Sequence, residues 1–278
     1  MRICRRLDGE VVSADSVQIY RHFDIGSAKP SAHERREVPH HLIDVCDPLD
    51  SVDAARFVQL AELTIQDILG RGKRPILCGG TFLWLRALIY GLAPAPPGDE
   101  SIRARHRAEA DQFGREHLHA RLEAIDPVSH ARLAPNDLIR VSRALEVYEL
   151  SGQLLSDLQA EHGFRTPRHD VHLIAIEHDR ALLSERIEQR VIRMFEQGLL
   201  EEVRELSRAG YADARALRSV GYRQVAEALT AGRPIQIADL VQQITQATRT
   251  FVRRQLTWLR DQPVTWLKPA DVDSFTPL

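Results

Sequence analysis

The stretch GEVVSADSVQIYRHFDIGSAKP, residues 9–30, opens with a short apolar run and becomes polar at Asp15. An apolar run of this length, ending at Ala14, is typical of a buried parallel strand. A strand that delivers a carboxylate at its carboxyl end is a common way for an open α/β sheet to build a site. Asp15 is therefore a candidate general base, and the alternative is that it caps a following helix.

Two more apolar runs on the carboxyl side of this stretch, HLIDV (41–45) and RPILCGG (74–80), are predicted to be parallel strands. Between them, apolar residues recur at helical spacing, with Ser51 or Asp53 as the N-cap and Gly70 at the end. Strand, helix and strand in this order predict a parallel sheet. The remaining predicted elements are strands within 168–179 and 263–267 and long helices over 180–210 and 237–261.

The composition changes at the proline-rich joint APAPPGDE, residues 93–100. From there to about Gly163 the sequence is helical and strongly charged, with no convincing strand. We therefore predict an α/β core formed by 1–95 and 168–278, interrupted by an all-helical insertion over 96–167.

Composition excludes several classes of protein. Hydrophobic residues make up 44% and charged residues 27% of the chain, as in ordinary globular proteins, and the formal net charge is −2. The 3 cysteines are scattered, and the 12 histidines show no metal-ligand spacing, so neither a zinc site nor a disulfide framework is indicated. No apolar run approaches the ~18 residues needed to span a membrane. We expect a soluble cytoplasmic protein without a membrane partner.

Two groups of residues could bind an anion. Gly79, Gly80 and Thr81 lie between a predicted strand and a helix, where backbone N–H groups and a hydroxyl can approach a phosphate; the alternative is a plain tight turn with Thr81 as the helix cap. Arg186 and Arg190 lie four residues apart on one helix face and could clamp a diphosphate, unless nearby glutamates neutralise them on the surface.

A third basic group lies in the helical region. In PNDLIRVSRALEVYELSG (135–152), Arg140 and Arg143 share one helix face, and SIRARHRAEA (101–110) adds further arginines. Together they could form a surface for nucleic acid phosphates. The alternative is a solvated face, because Glu146 and Glu149 are close in sequence.

The order of these motifs along the chain resembles the bacterial tRNA dimethylallyltransferases. The resemblance rests on DSVQIYRHFDIGSAKP, PHHLIDVCDP, PILCGGTFLWLRALIYGL, PNDLIRVSRALEVYELSG, RIEQRVIRMFEQGLLEEV, SVGYRQ and TRTFVRRQLTWLR, and it spans Gly9 to Trp266. It implies a P-loop kinase-like α/β fold with a helical insertion. It also implies transfer of a dimethylallyl group from dimethylallyl diphosphate to N6 of the adenosine next to the anticodon of tRNA, adenosine 37. That base would be flipped out of its stack. Mg²⁺ is the implied cofactor, and a monomer is the implied state.

The resemblance assigns roles by position. Asp15 matches the general base, Ser16, Val17 and Gln18 match the segment that lines the flipped base, and Thr81 matches a threonine that contacts both diphosphate and tRNA. Arg190, and with it Arg186, matches the diphosphate-binding position. The positions implied to contact tRNA are Arg103, Ile139, Arg140, Val141, Ser142, Arg143, Leu217, Arg218, Ser219, Val220, Gly221 and Tyr222, and the basic helix around Arg253, Arg254 and Arg260.

One departure from the family concerns the P-loop. The 278 residues contain no G-x-x-x-x-G-K-[ST] motif, and MRICRRLDGEVV matches the tail of the helix that follows this loop in the family. We therefore expect the first strand and the P-loop to be absent from this chain, through either a misassigned start or a real truncation, with weaker diphosphate binding as the consequence. Two other functions stay open: prenyl transfer to free adenine nucleotides, and tRNA binding without catalysis.

Overall fold

A computed structural model describes residues 1–232 and 234–275. The chain divides into two compact units. The first comprises Met1–Leu88 and the described residues from Asp170 onward, and the second comprises Ile89–His169. Within the described residues, no helix is both long and apolar enough to cross a membrane.

The first unit contains two parallel sheets, and its α/β class agrees with the prediction. Strands β1 (Gly9–Ser13), β2 (His40–His41) and β3 (Arg74–Cys78) form a sheet in the order β2-β1-β3. Strands β4 (Ile174–Ile176) and β5 (Thr265–Leu267) form the second sheet. The central strand β1 is buried along Glu10–Ser13. Val11 and Val12 fill its middle, and the buried Glu10 carboxylate is paired with Arg71.

The register of β1 against β3 places the candidate site. Gly9 pairs with Arg74 and Ser13 pairs with Cys78, so the two strands end level with each other. The segments that follow, Asp15 on one side and Gly79–Thr81 on the other, therefore leave the same edge of the sheet side by side. Carboxyl ends of neighbouring parallel strands are where open α/β sheets bind ligands.

The predicted strand HLIDV is wrong in its extent, because β2 ends at His41. Leu42 has φ 59° and Asp44 has φ 61°, both in the left-handed region that a strand cannot use. Asp44 is held in place by ion pairs with Lys29 (2.5 Å) and Arg35 (2.8 Å). These contacts with distant residues bend the chain where local β propensity favours continuation.

The helices of the first unit pack around these sheets. They are α1 (Arg2–Leu7), α2 (Ala32–Glu37), α3 (Ala54–Gly70), α4 (Phe82–Tyr90), α10 (Arg180–Glu196), α11 (Leu199–Arg208), α12 (Tyr222–Thr230) and α13 (Ile237–Arg260). Helix α3 shows how sequence specifies them: the Asp53 side chain accepts the Arg56 N–H as N-cap, and Phe57, Ala61, Ile65 and Ile68 form its buried face. Phe57 stacks on Trp84 of α4 at 4.5 Å between ring centroids.

The predicted single helix over 180–210 is two helices, α10 and α11. Gly198 separates them with φ 101°, a conformation that glycine adopts readily. The break redirects the chain, so that α11 packs near the loop that follows β1.

The second unit is helical among its described residues. It contains α5 (Glu100–Phe113), α6 (Arg115–Ile125), α7 (Pro127–Arg132), α8 (Leu138–Ser151) and α9 (Leu155–His162). Its core is a cluster that includes Leu118, Leu122, Val141 and Leu145, all essentially inaccessible to solvent. The alternation of charged and apolar residues in this region therefore reflects amphipathic helices around one small core.

Candidate active site

Asp15 lies just beyond the carboxyl end of β1, where its carboxylate is bound by the turn that follows. Its Oδ1 accepts the backbone N–H groups of Val17 (2.8 Å) and Gln18 (3.1 Å), which fixes the carboxylate in a turn. No helix starts here, so it does not act as a helix cap. Among the described residues, no hydrogen bond is made to Oδ2, and the side chain is partly exposed. Oδ1 therefore orients the carboxylate, and no described residue donates a hydrogen bond to Oδ2.

Thr81 joins the glycine turn to the Asp15 turn. Its hydroxyl oxygen accepts the Ser16 N–H at 3.0 Å and donates to Ser16 Oγ at 3.2 Å, while its own N–H donates to the Ala14 carbonyl at 3.2 Å. The Thr81 carbonyl accepts the Trp84 N–H at the start of α4, but its hydroxyl is directed toward Ser16. The side chain therefore links two strand ends rather than capping the helix.

The glycine pair allows this close approach. A Cβ on Gly79 would lie 2.2 Å from the Ala14 carbonyl oxygen, and a Cβ on Gly80 would lie 2.2 Å from Nε2 of Gln255. Gln255, on α13, donates to the Gly80 carbonyl at 3.3 Å. The turn is thus packed between β1 and α13. Close packing therefore explains the two glycines of the GGT motif as well as anion binding does.

Arg190, on α10, interacts electrostatically with Asp15. It is exposed to solvent, yet the protein atoms around its guanidinium lower its pKa from the usual arginine value, and the Asp15 charge opposes this effect. An arginine keeps its positive charge under such a shift. Arg186 lies one turn earlier and is exposed, with its Nη1 3.5 Å from Nδ1 of His178. Arg190 is therefore near enough to Asp15 for their charges to interact, while the recorded contact of Arg186 is with His178.

Two arginines expected to contact tRNA, Arg103 and Arg143, share a buried carboxylate within the helical unit while their side chains stay partly exposed. Arg103 Nε bonds Glu146 Oε1 at 2.8 Å, and Arg143 bonds the other oxygen of the same carboxylate. Glu146 is fully buried. Burial alone raises the pKa of Glu146, but hydrogen bonds from Arg103 and Arg143 outweigh this and hold the pKa below its usual value. The two arginines therefore neutralise Glu146, and their contact with tRNA stays a prediction.

The rest of the Ile139–Arg143 segment divides between surface and core. Ile139 is 82% exposed, and Arg140 is exposed with an ion pair to Asp137. Val141 and Ser142 are buried, and Ser142 Oγ lies 2.9 Å from Nδ1 of His106. Ile139 and Arg140 are the exposed side chains of this predicted tRNA-binding segment, and Arg143 is partly exposed.

The segment from Leu217 to Tyr222 is mainly structural. Leu217, Gly221 and Tyr222 are buried, Ser219 and Val220 are partly buried, and Arg218 is exposed. The Ser219 hydroxyl donates to the Ala216 carbonyl at 2.6 Å. Arg218 is thus the side chain of this segment that a bound RNA could reach without rearrangement.

An open depression follows the carboxyl half of α13. It is lined by Thr250, Arg253, Arg254, Thr257, Trp258 and Asp261. Trp258 stacks on Phe82, the first residue of α4, with ring centroids 4.2 Å apart. This contact places the basic depression beside the glycine turn. The sequence showed the arginines of this helix, but it did not predict that they lie next to that turn.

Metal binding by protein side chains alone finds little support. The described residues contain no group of three or more His, Cys, Asp or Glu side chains arranged to hold a metal ion. Asp15, Ser16 and Thr81 offer oxygen atoms at the site. A Mg²⁺ ion held mainly by phosphate oxygens fits such a sparse donor set, because Mg²⁺ commonly takes one or two carboxylates plus substrate phosphates.

Fold and site together define the class: a P-loop kinase-like α/β protein with a carboxylate and a glycine turn at the strand ends. The chain belongs to the IPP transferase family, whose sequence profile matches residues 18–262. A relative from Sorangium cellulosum (strain So ce56), named tRNA dimethylallyltransferase, is 60% identical over 96% of this chain and 84% of its own length.

Solved structures agree with this assignment. The full-length tRNA isopentenylpyrophosphate transferase of Bacillus halodurans is 35% identical, with a TM-score of 0.67 over 96% of this chain and 83% of that one. A eukaryotic dimethylallyltransferase acting on tRNA has a TM-score of 0.78 over 96% of this chain and 69% of that one. At 24% identity it supports the fold alone. The expectation about the P-loop segment stays a prediction.

Proposed function

We propose that this protein transfers a dimethylallyl group from dimethylallyl diphosphate to N6 of adenosine 37 in tRNA, acting as a cytoplasmic monomer. The observation that carries the proposal is the direct link between the Asp15 turn and the glycine turn, made by the hydrogen bonds of Thr81 to Ser16. It joins a candidate base to a candidate diphosphate site. Family membership and the name of the Sorangium relative support the same reaction.

In the proposed reaction the bond between C1 of the dimethylallyl group and the diphosphate oxygen breaks, and a bond from N6 to C1 forms. The N6 proton passes to Oδ2 of Asp15, and diphosphate leaves with the electron pair of the broken bond. Arg190 and the Thr81 hydroxyl stabilise the negative charge that develops on the leaving group. Mg²⁺, when bound, would add Lewis-acid stabilisation of that charge, held by diphosphate oxygens with the Thr81 or Ser16 hydroxyl.

Recognition of tRNA in this proposal uses the exposed basic residues. Arg140, Arg218, Arg253 and Arg254 are exposed and could neutralise phosphates, which contributes affinity without sequence preference. Specificity comes from the extruded base, which Ser16, Val17 and Gln18 would face. Arg103 and Arg143 support the helical unit through Glu146 instead.

Asp15→Asn tests the assigned base. An asparagine keeps an oxygen that can accept the Val17 and Gln18 N–H groups, so the turn is preserved while the base is lost. We expect the single-turnover rate of prenyl transfer to fall ~10²–10⁴-fold. The affinity for tRNA should stay within about threefold, because no phosphate-neutralising charge is removed. The exposed Asp213, changed to Asn, serves as the matched control.

The substrate is tested with labelled dimethylallyl diphosphate and either tRNA or AMP. Label on tRNA alone supports the proposal, whereas label on AMP favours the free-nucleotide enzyme. Binding of tRNA without transfer of label indicates the non-catalytic module. A normal rate in the Asp15→Asn variant would contradict the role of Asp15 and leave the reaction itself standing.

A further inference from the structure

One carboxylate holds the loop that follows the base-facing segment. Glu202, on α11, accepts the backbone N–H groups of Asp24 (3.0 Å) and Ile25 (2.7 Å) on Oε2, and that of Gly26 (3.2 Å) on Oε1. Three consecutive N–H groups directed at one carboxylate form an anion nest whose anion is part of the chain itself. Such charge-assisted bonds are about twice as strong as neutral ones.

Tyr222 completes this arrangement from the other side. Its hydroxyl donates to Glu202 Oε1, and its buried ring packs edge-to-face on Phe23 with centroids 4.9 Å apart. Burial first, and then the Glu202 charge, raise the pKa of Tyr222, so the hydroxyl keeps its proton and acts as a donor. A Cβ on Gly26 would lie 2.6 Å from the Tyr222 ring, so the loop passes directly against it.

The loop is connected in turn to the candidate active site. Nε2 of Gln18 donates to the carbonyls of Ser27 (3.1 Å) and Ala28 (3.4 Å). The backbone N–H of Gln18 donates to Asp15 Oδ1 at 3.1 Å. The Gln18 amide is therefore tied to the loop, and its main chain is tied to the candidate base.

We propose that Glu202 is a positioning residue that holds the Asp24–Ala28 loop and, through Gln18, keeps the Asp15–Gln18 turn in its active geometry. The functional part of the inference rests on the proposed function, because that turn is where the flipped base would bind. Glu202 touches no reacting group in this arrangement. It acts by fixing the backbone to which Gln18 is hydrogen-bonded.

The structural part is tested by amide hydrogen exchange in the full chain. Glu202→Gln keeps one acceptor oxygen and turns the other into an NH₂ donor, so at least one of the three loop bonds is lost, and the bonds that remain lose the assistance of the negative charge. We expect exchange at Asp24, Ile25 and Gly26 to accelerate about tenfold or more, which corresponds to about 1.4 kcal/mol. Exchange at Val17 and Gln18 should accelerate as well. Acceleration confined to 24–26 would overturn the inference.

Two matched variants separate this effect from general destabilisation. Glu205→Gln changes an exposed glutamate on the same helix that pairs with Arg208 at 2.6 Å, and it should leave exchange in the loop and in the turn unchanged. Tyr222→Phe removes the hydroxyl donor and keeps the three N–H bonds. Its loop amides should stay within about threefold of the parent, since each protecting bond is intact. Equal acceleration in all three variants would contradict the proposal.

The functional part is tested in the prenyl transfer assay by comparing the change in the KM for tRNA with the change in the KM for dimethylallyl diphosphate. Glu202→Gln should raise the KM for tRNA about tenfold, because the base-facing turn is displaced in the free enzyme. The KM for dimethylallyl diphosphate should stay within about threefold, since Thr81 and Arg190 do not contact the loop. If the parent transfers label and both KM values are unchanged in the variant, the functional part is refuted while the proposed function stands. If the parent transfers no label, the proposed function fails and the exchange data still decide the role of Glu202.

Discussion

Replacing Gly79 by alanine tests whether the contact between the two strand ends holds the candidate site together. The added Cβ would lie 2.2 Å from the carbonyl oxygen, 2.5 Å from the carbonyl carbon and 2.9 Å from the Cα of Ala14. All three atoms are backbone, so no flexible side chain can move aside. Gly79 does not have a positive φ, which makes this a test of contact rather than of backbone strain.

The expected loss in the free energy of unfolding can be estimated from the hydrogen bonds between Ala14 and the glycine turn, which the added Cβ would break. Ala14 donates its N–H to the Cys78 carbonyl at 2.8 Å and accepts the Thr81 N–H at 3.2 Å. Loss of these bonds costs about 0.5–1.5 kcal/mol each, and forcing extra atoms into a packed region costs about 1–3 kcal/mol. We therefore expect Gly79→Ala to lower the free energy of unfolding by about 2–6 kcal/mol.

Urea unfolding measures this loss, and hydrogen exchange at Thr81 locates it. The control is Gly70→Ala at the end of α3, where an added Cβ meets nothing within 4 Å. That change should stabilise the protein by about 0.5–1 kcal/mol, since glycine is the poorer helix former. A Gly79→Ala variant with the urea midpoint of the parent, and with unchanged exchange at Thr81, would refute the reasoning.

Three further predictions follow from other contacts. Hydrogen bonds from Arg71, opposed by burial and aided by a neighbouring histidine, lower the pKa of Glu10 from 4.5 to about 2. The ionised Glu10 carboxylate therefore contributes to the free energy of unfolding above pH 4.5, and this contribution is lost as the pH falls toward 2. This loss is at most about 3 kcal/mol, and solvent screening of the partly exposed Arg71 reduces it. The free energy of unfolding in urea should therefore depend less on pH in Glu10→Gln than in the parent. Thr81→Ala should slow single-turnover prenyl transfer at saturating tRNA by about 10². Thr81→Ser keeps the hydroxyl and should retain most of the rate. Equal rates in the two variants would indicate that Thr81 has a purely structural role. Glu146→Gln removes the charge that Arg103 and Arg143 share, and it should lower the free energy of unfolding by about 1–2 kcal/mol because both arginines are partly exposed to solvent. An unchanged urea midpoint would contradict the structural role assigned to this carboxylate.

Local sequence pattern determined most of the elements that carry the site. Strands β1 and β3 and helix α3 could be predicted because burial imposes a periodicity that neighbouring residues express together. Asp15 and the Gly79–Thr81 turn could be placed at one sheet edge because carboxyl ends of parallel strands share it. The break between α10 and α11 carried a signal, Gly198, that the helical periodicity on both sides obscured.

Tertiary structure decided which polar residues belong to the site and which support it. Arg143 shares a helix with Arg140, yet it pairs with the buried Glu146, whereas Arg140 pairs with Asp137 near the surface. The strand HLIDV stops early because Asp44 bonds two distant cations. Glu202 reaches a loop 177 positions away in the chain. A sequence pattern reports the burial and propensity of nearby residues, whereas the partner of a charged side chain depends on which distant segments the completed fold brings within hydrogen-bonding distance.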